Sequence, residues 1–157
     1  MDSMTTTTQP LMHRIAVAGA SGRMGHMLIE AIRSTDDCQL AGALDMEQSP
    51  AIGLDAAAFL GHASGVPISC NLRAGLQDAQ VLIDFTRPEG TLAHLKMCRT
   101  LGVNAVIGTT GFSDAEKLEI AAAAKDIAIM IAPNMSVGVN VTLKLLEMAA
   151  KALSTGY

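Results

Sequence analysis

Four apolar residues, Ile15, Ala16, Val17 and Ala18, break into three glycines spaced three apart, Gly19, Gly22 and Gly25, and pass directly into a helical pattern. The apolar run is the kind of strand that a parallel sheet buries. Behind the glycines, Met24, Met27, Leu28, Ala31 and Ile32 recur at helical spacing. The segment therefore reads as strand, phosphate loop, helix, which restricts the chain to nucleotide-binding α/β architectures more tightly than anything else in it.

Each glycine has a physical reason to be there. Gly19 permits a tight turn out of the strand, Gly22 lets backbone approach a pyrophosphate with no Cβ in the way, and Gly25 lets the helix pack close to the sheet. A helix starting there offers free N–H groups and the positive end of its dipole to phosphate oxygens. Arg23 can add a charge-assisted hydrogen bond. The spacing is Gly-x-x-Gly-x-x-Gly, not the Gly-x-Gly-x-x-Gly fingerprint, so the loop alone leaves open a glycine turn without a ligand. A second strand over residues 39–44 ends at Asp45, twenty residues after Gly25. An acid at that point is placed to accept hydrogen bonds from the adenosine ribose hydroxyls, although an ordinary turn acid would occupy the same position.

Strand and helix alternate further along. Residues 55–60 read as a short helix ended by Gly61, 66–69 as an edge strand, and 72–76 as another short helix. Residues 81–85 form a buried-strand run, followed by a helix that Gly102 stops; residues 104–107 form the next strand. Ser113 and Glu116 make a capping box for a helix through Ala124, and residues 127–131 form a last strand. Alternation with short loops predicts a doubly wound parallel sheet of Rossmann type, covered on both faces. The loops at 19–25, 45, 85–87, 108–110 and 132–135 would then share one edge of it, where such folds bind ligands. Val141, Leu145, Met148, Ala149, Ala152 and Leu153 recur at helical spacing with no strand behind them. The expected organisation is a flexible tail over 1–12, a dinucleotide-binding domain over 13–135, and the start of a second unit over 136–157.

Composition narrows the function classes. The chain has 157 residues, half of them hydrophobic and 17% charged, a globular composition with room for one sizeable core. Aromatic residues are few, so Ala, Val, Ile, Leu and the ten methionines are expected to fill the interior. A net charge of −4 gives no basic footprint for nucleic acid. Cys38, Cys70 and Cys98 are odd in number and widely spaced, which suggests reduced, mostly buried thiols and no disulfide or zinc framework. The first twelve residues lack a signal-peptide core, and no apolar run reaches membrane-spanning length, so a cytoplasmic protein is expected.

Four stretches resemble the dihydrodipicolinate reductases of lysine and diaminopimelate synthesis. They are Val-Ala-Gly-Ala-Ser-Gly-Arg-Met-Gly at 17–25, Ile-Asp-Phe-Thr-Arg-Pro-Glu-Gly-Thr at 83–91, Val-Ile-Gly-Thr-Thr-Gly-Phe at 106–112, and Ala-Pro-Asn-Met-Ser-Val-Gly-Val-Asn at 132–140. The resemblance implies a nicotinamide-dependent reductase that delivers hydride to a small cyclic, imine-type substrate. Carried over by position, it assigns Gly19, Ala20, Ser21, Gly22, Arg23 and Met24 to the pyrophosphate and Asp45 to the adenosine ribose. Gly108, Thr109 and Thr110, with Ala132, Pro133, Asn134 and Met135, would line the nicotinamide end, and Phe85, Thr86 and Arg87 would border the cofactor.

Two departures qualify it. Members that accept NADPH readily often carry an arginine directly after the ribose acid; here Met46 stands there, so NADH is expected to be preferred over NADPH, with Arg23, His26 or Arg33 as candidate compensating charges. The family's paired histidines and nearby lysine have no counterpart among these 157 residues. The resemblance places that catalytic segment beyond Tyr157, so no catalytic residue is expected in this chain. His13, His26, His62 and His94 are expected to be surface or packing residues, and the chain to bind cofactor without turning over substrate. The resemblance also implies a homotetramer for the full-length protein. Two other readings compete: another aspartate-pathway dehydrogenase of Rossmann type, and a nucleotide-sensing module.

Overall fold

The computed structural model describes residues 12–154, so the expected tail over 1–12 lies almost wholly outside the described residues. Tyr157, the residue beyond which the paired histidines and lysine are expected, lies outside them too. In chain order the elements are β1 (His13–Ala18), α1 (Arg23–Arg33), β2 (Cys38–Leu44), a 3-10 turn (Ala58–Leu60), β3 (Ile68–Ser69), α2 (Leu72–Leu76) and β4 (Val81–Asp84). They continue as α3 (Pro88–Leu101), β5 (Asn104–Ile107), α4 (Asp114–Ala123), β6 (Ile129–Ile131) and α5 (Val137–Ala152). The six strands form one sheet in the order β3-β2-β1-β4-β5-β6, and every pairing is parallel. The order reverses between β1 and β4, which opens a crevice at the carboxyl ends of those strands.

The strand register explains two cores. Ala16 and Ala18 point to one face with Leu44, Leu82, Ala105 and Ile107, under α2, α3 and α4. Val17 points to the other with Leu40, Ala43 and Ile68, under α1 and the 3-10 turn. Ala41 is an extra residue in β2, because Ile15 pairs with Leu40 while Ala16 pairs with Gly42. That bulge turns Gly42 toward α2, where a Cβ on Gly42 would lie 1.9 Å from the Gly75 carbonyl oxygen. The two backbones meet because position 42 is glycine; a Cβ on Gly75 would instead meet the Leu44 side chain at 2.4 Å.

Four expectations are corrected. Covering of the α1 side is partial: along the paired row Ala43, Val17, Ile83, Val106 and Met130, burial falls from complete at the first two to half at the next two, and Met130 is 56% exposed. The buried stripe of α1 is Gly25, Ile29 and Ile32, while Met24 and Met27 face solvent. Periodicity counts apolar side chains and so misses a stripe that begins at a glycine. Finally, no methionine is among the buried described residues; Ala, Val, Ile and Leu make up the interior with Cys98. Of the cysteines Cys98 alone is buried, Cys38 being half-buried and Cys70 exposed.

Candidate dinucleotide site

The glycine loop lies at the carboxyl end of β1, beside the switch point. Gly19 has φ +70°, a left-handed conformation that side chains disfavour. The Gly22 N–H closes the turn on the Gly19 carbonyl at 3.0 Å, and the Ala20 N–H ties the loop to the Leu44 carbonyl at 3.0 Å. A Cβ on Gly25 would stand 2.2 Å from the Gly19 oxygen and 2.7 Å from the Ala20 oxygen. Gly25 thus brings the helix against the loop's own backbone.

That packing leaves the start of α1 open. Helix α4 begins with the Ser113–Glu116 capping box and acidic residues in its first turn. Helix α1 has neither a side-chain cap nor an acid in its first turn. Among the described residues no acceptor meets the N–H groups of Arg23, Met24 or Gly25. Arg23, exposed, makes no ion pair with another described residue.

Asp45 is drawn toward this loop. Its Oδ2 accepts from the Ser21 N–H at 3.0 Å and from the Ser21 hydroxyl, and its Oδ1 accepts from the Met46 N–H at 2.8 Å. The Ser49 hydroxyl lies 3.3 Å from that of Ser21. The carboxylate therefore borders the loop and leaves the three helix amides free.

The other half of the rim is built around a carboxylate that the sequence reading did not single out. Asp84, the last residue of β4, is fully buried. It accepts from the Thr86 hydroxyl at 2.6 Å, the Thr86 N–H at 2.9 Å and the Thr109 hydroxyl at 3.4 Å, and it meets His94 Nδ1 at 2.7 Å. The Thr91 hydroxyl donates to that of Thr109 at 3.0 Å. Burial pushes the Asp84 carboxyl upward, but His94 and Thr86 outweigh it, and the group lies below the ordinary carboxylate range. Burial, and then the Asp84 charge, push the nearby Cys98 thiol up to about 12. One signal for Asp84 was available: strand alternation puts it on the face of Leu82, inside the core.

The expected residues fall into three groups. Ala20, Ser21, Gly22, Arg23 and Met24 surround the open helix start, with Asp45 bonded to Ser21. Phe85, Thr86, Gly108 and Thr109 form a second group: a Cβ on Gly108 would lie 2.0 Å from the Phe85 ring, and one on Gly19 would lie 3.2 Å from the Thr86 methyl. The Thr109 side chain is turned inward, 5% exposed, so only its backbone borders the rim; Thr110 and the α3 N-cap Arg87 are exposed. The last group, Ala132 to Met135, follows β6 at the sheet edge and is joined to the rest by the Ala132 N–H on the Ile107 carbonyl at 3.2 Å.

Three of the four histidines have side-chain partners among the described residues. His13 opens β1, His26 stacks on Phe59 with ring centroids 3.9 Å apart, and His62 Nε2 accepts from Arg33 Nε at 3.3 Å. His94, expected to be a surface or packing residue, is half-buried and pairs with the buried Asp84.

A doubly wound parallel sheet with an open helix start at its switch point defines the Rossmann class of nucleotide-binding folds. Residues 13–135 match the family described as "Dihydrodipicolinate reductase, N-terminus", and the chain belongs to the dihydrodipicolinate reductase family. It is 67% identical over 144 residues to the 4-hydroxy-tetrahydrodipicolinate reductase of Herminiimonas arsenicoxydans, covering 92% of this chain and 54% of that protein. The namesake from Bordetella parapertussis is 59% identical over 150 residues, covering 96% and 55%. The chain thus spans about half the length of the curated relatives it matches. The dipicolinate-bound dihydrodipicolinate reductase of Paenisporosarcina sp. TG-14 superposes with a TM-score of 0.71 at 25% identity, over 88% of this chain and 54% of that one. The WlbA dehydrogenase from Chromobactrium violaceum, solved with NADH and UDP-GlcNAcA, shares the fold, with a TM-score of 0.64 at 21% identity over 92% and 41%. No helix among the described residues is long and apolar enough to cross a membrane.

Proposed function

We propose that this chain is the cofactor-binding part of an NAD(P)H-dependent reductase acting on 4-hydroxy-tetrahydrodipicolinate, the compound its curated relatives are named for. The observation that carries the reading is the start of α1, where three N–H groups without acceptors converge beside glycines that a Cβ would jam. That arrangement suits a diphosphate. Arg23 and the Gly22–Met24 backbone would hold the diphosphate, Asp45 the adenosine ribose, and Phe85, Thr86, Gly108 and Thr109 the ring end, with Ala132 to Met135 closing it. When bound, the nicotinamide supplies hydride. The chain's own contribution is to fix the cofactor and to exclude water beneath the ring through Phe85 and the buried Asp84 network.

NADH is the preferred form. Asp45 would repel a 2′-phosphate and Met46 offers no charge; of the three candidate cations His26 stacks on Phe59 and Arg33 donates to His62. Residues 13–135 form the cofactor domain. Residues 136–157 open the substrate domain, a reading supported by the exposure of every residue of α5. The catalytic histidines and lysine would follow Tyr157 in the full-length protein.

Titrating the chain with NADH and NADPH by fluorescence tests this. NADH binds more tightly, and Met46→Arg narrows the difference by roughly tenfold by supplying a phosphate partner. The chain is not expected to reduce the substrate, because the resemblance puts the paired histidines and lysine of the reaction outside it. Absence of NADH binding overturns the reading.

A further inference from the structure

Asp84 and His94 lie beneath the rim, and the Asp84 carboxylate bonds two of its loops. Two donors on one Asp84 oxygen, the Thr86 N–H and hydroxyl, close a turn that holds Phe85 between them. The Phe85 ring rests where a Cβ of Gly108 would be, and the Thr86 methyl rests against Gly19. Thr109, next to Gly108, is held from both sides by Asp84 and Thr91. One buried carboxylate thereby bonds the loops after β4 and β5, and meets the loop after β1 only through the Thr86 methyl. Its remaining oxygen is bonded to His94 at 2.7 Å from the second turn of α3. Among the described residues no buried side-chain polar atom lacks a partner, so the network is closed.

We infer that the Asp84–His94 pair is the positioning element for the nicotinamide half of the site, holding the Phe85–Thr86 and Gly108–Thr109 loops in register without touching the cofactor. The inference rests on the dinucleotide reading above. Loss of the His94 donor leaves a buried carboxylate short of its partner, and it recovers by pulling Thr86 or Thr109 out of place. The adenosine half, built on α1 and Asp45, shares no hydrogen bond with the network and is unaffected.

ADP-ribose, which has the adenosine and diphosphate but no nicotinamide, separates the two halves. The wild-type chain, His94→Ala, His94→Asn and Thr109→Val are titrated with NADH and with ADP-ribose, and their thermal melts are recorded. His94→Asn keeps an N–H close to the position of Nδ1; Thr109→Val removes one peripheral donor and carries the test if His94→Ala does not fold. For His94→Ala we expect NADH to weaken by about tenfold while ADP-ribose changes less than about twofold, the loss of a charge-assisted bond felt on one side only. His94→Asn recovers most of the NADH loss. The inference is overturned if NADH binding is unchanged, if both ligands weaken in parallel, or if the wild-type chain binds ADP-ribose as tightly as NADH. Wild-type protein that binds neither ligand overturns the dinucleotide reading itself.

Discussion

Buried and exposed thiols give the residue scale its most direct readout. Cys98 lies on the buried face of α3 with its pKa pushed up to about 12, so at pH 8 it is a protonated thiol without solvent access. Cys70 is exposed at the end of β3. An aromatic disulfide reagent should therefore titrate Cys70 quickly in the native protein and Cys98 only after denaturation; rapid native reaction at Cys98 would show that the α3 packing is wrong. Acid stability depends on a different residue. The Asp55 carboxylate accepts from the Ser64 N–H and hydroxyl and from the N–H groups of Ala57 and Gly65, and its pKa falls from the ordinary 3.8 to about 2. A depressed folded value means that its contribution is complete above the unfolded pKa and is lost as pH falls through the folded one. Thermal melting followed from pH 5 to 2 should decline across the window from 3.8 to about 2, and Asp55→Asn should flatten that part of the slope while lowering the plateau. Asp84, also held low, adds to the same decline.

Elements were legible wherever an apolar run meets a turn residue. The strands end at Gly19, Asp45, Phe85 and Gly108, Gly102 stops α3 at φ +71°, and the Ser113–Glu116 capping box starts α4. The loops at the carboxyl ends of the strands were legible for the same reason. The Asp84–His94 pair was not: it joins a strand end to a helix ten residues away, and only tertiary folding shows that they face each other. The buried stripe of α1 was missed because its first member has no side chain. That stripe yields a test of the loop. Gly25→Ala places a methyl carbon 2.2 Å from the Gly19 oxygen, so α1 must back away from the turn. Overpacking of this kind costs roughly 1 to 3 kcal/mol. Urea unfolding should show a loss in that range, together with loss of NADH binding, whereas Ala31→Gly on the exposed side should cost about 1 kcal/mol and leave binding intact.

At the scale of the whole molecule the sheet and α5 are energetically separate. All buried described residues lie between His13 and the end of β6, and every residue of α5 is exposed, including Val137, Leu143, Leu145, Leu146 and Met148. Its hydrogen bonds to the preceding loop are local: Asn140 donates to the Asn134 and Ser136 carbonyls at 3.1 and 2.9 Å, and the Ser136 hydroxyl caps the helix. Stability follows buried area, so a helix that buries none of its residues contributes little to the cooperative unit. The same apolar residues, presented to water, favour self-association. Removing residues 137–157 should therefore leave the melting temperature within about 2 °C, since surface changes away from buried features cost about 0.5 kcal/mol or less. It should also reduce concentration-dependent light scattering and preserve ADP-ribose binding. A drop of about 10 °C would mean that α5 packs on the sheet in solution, against the half-buried row of Ile83 and Val106 and the exposed Met130, where the helix cover of the α1 side stops.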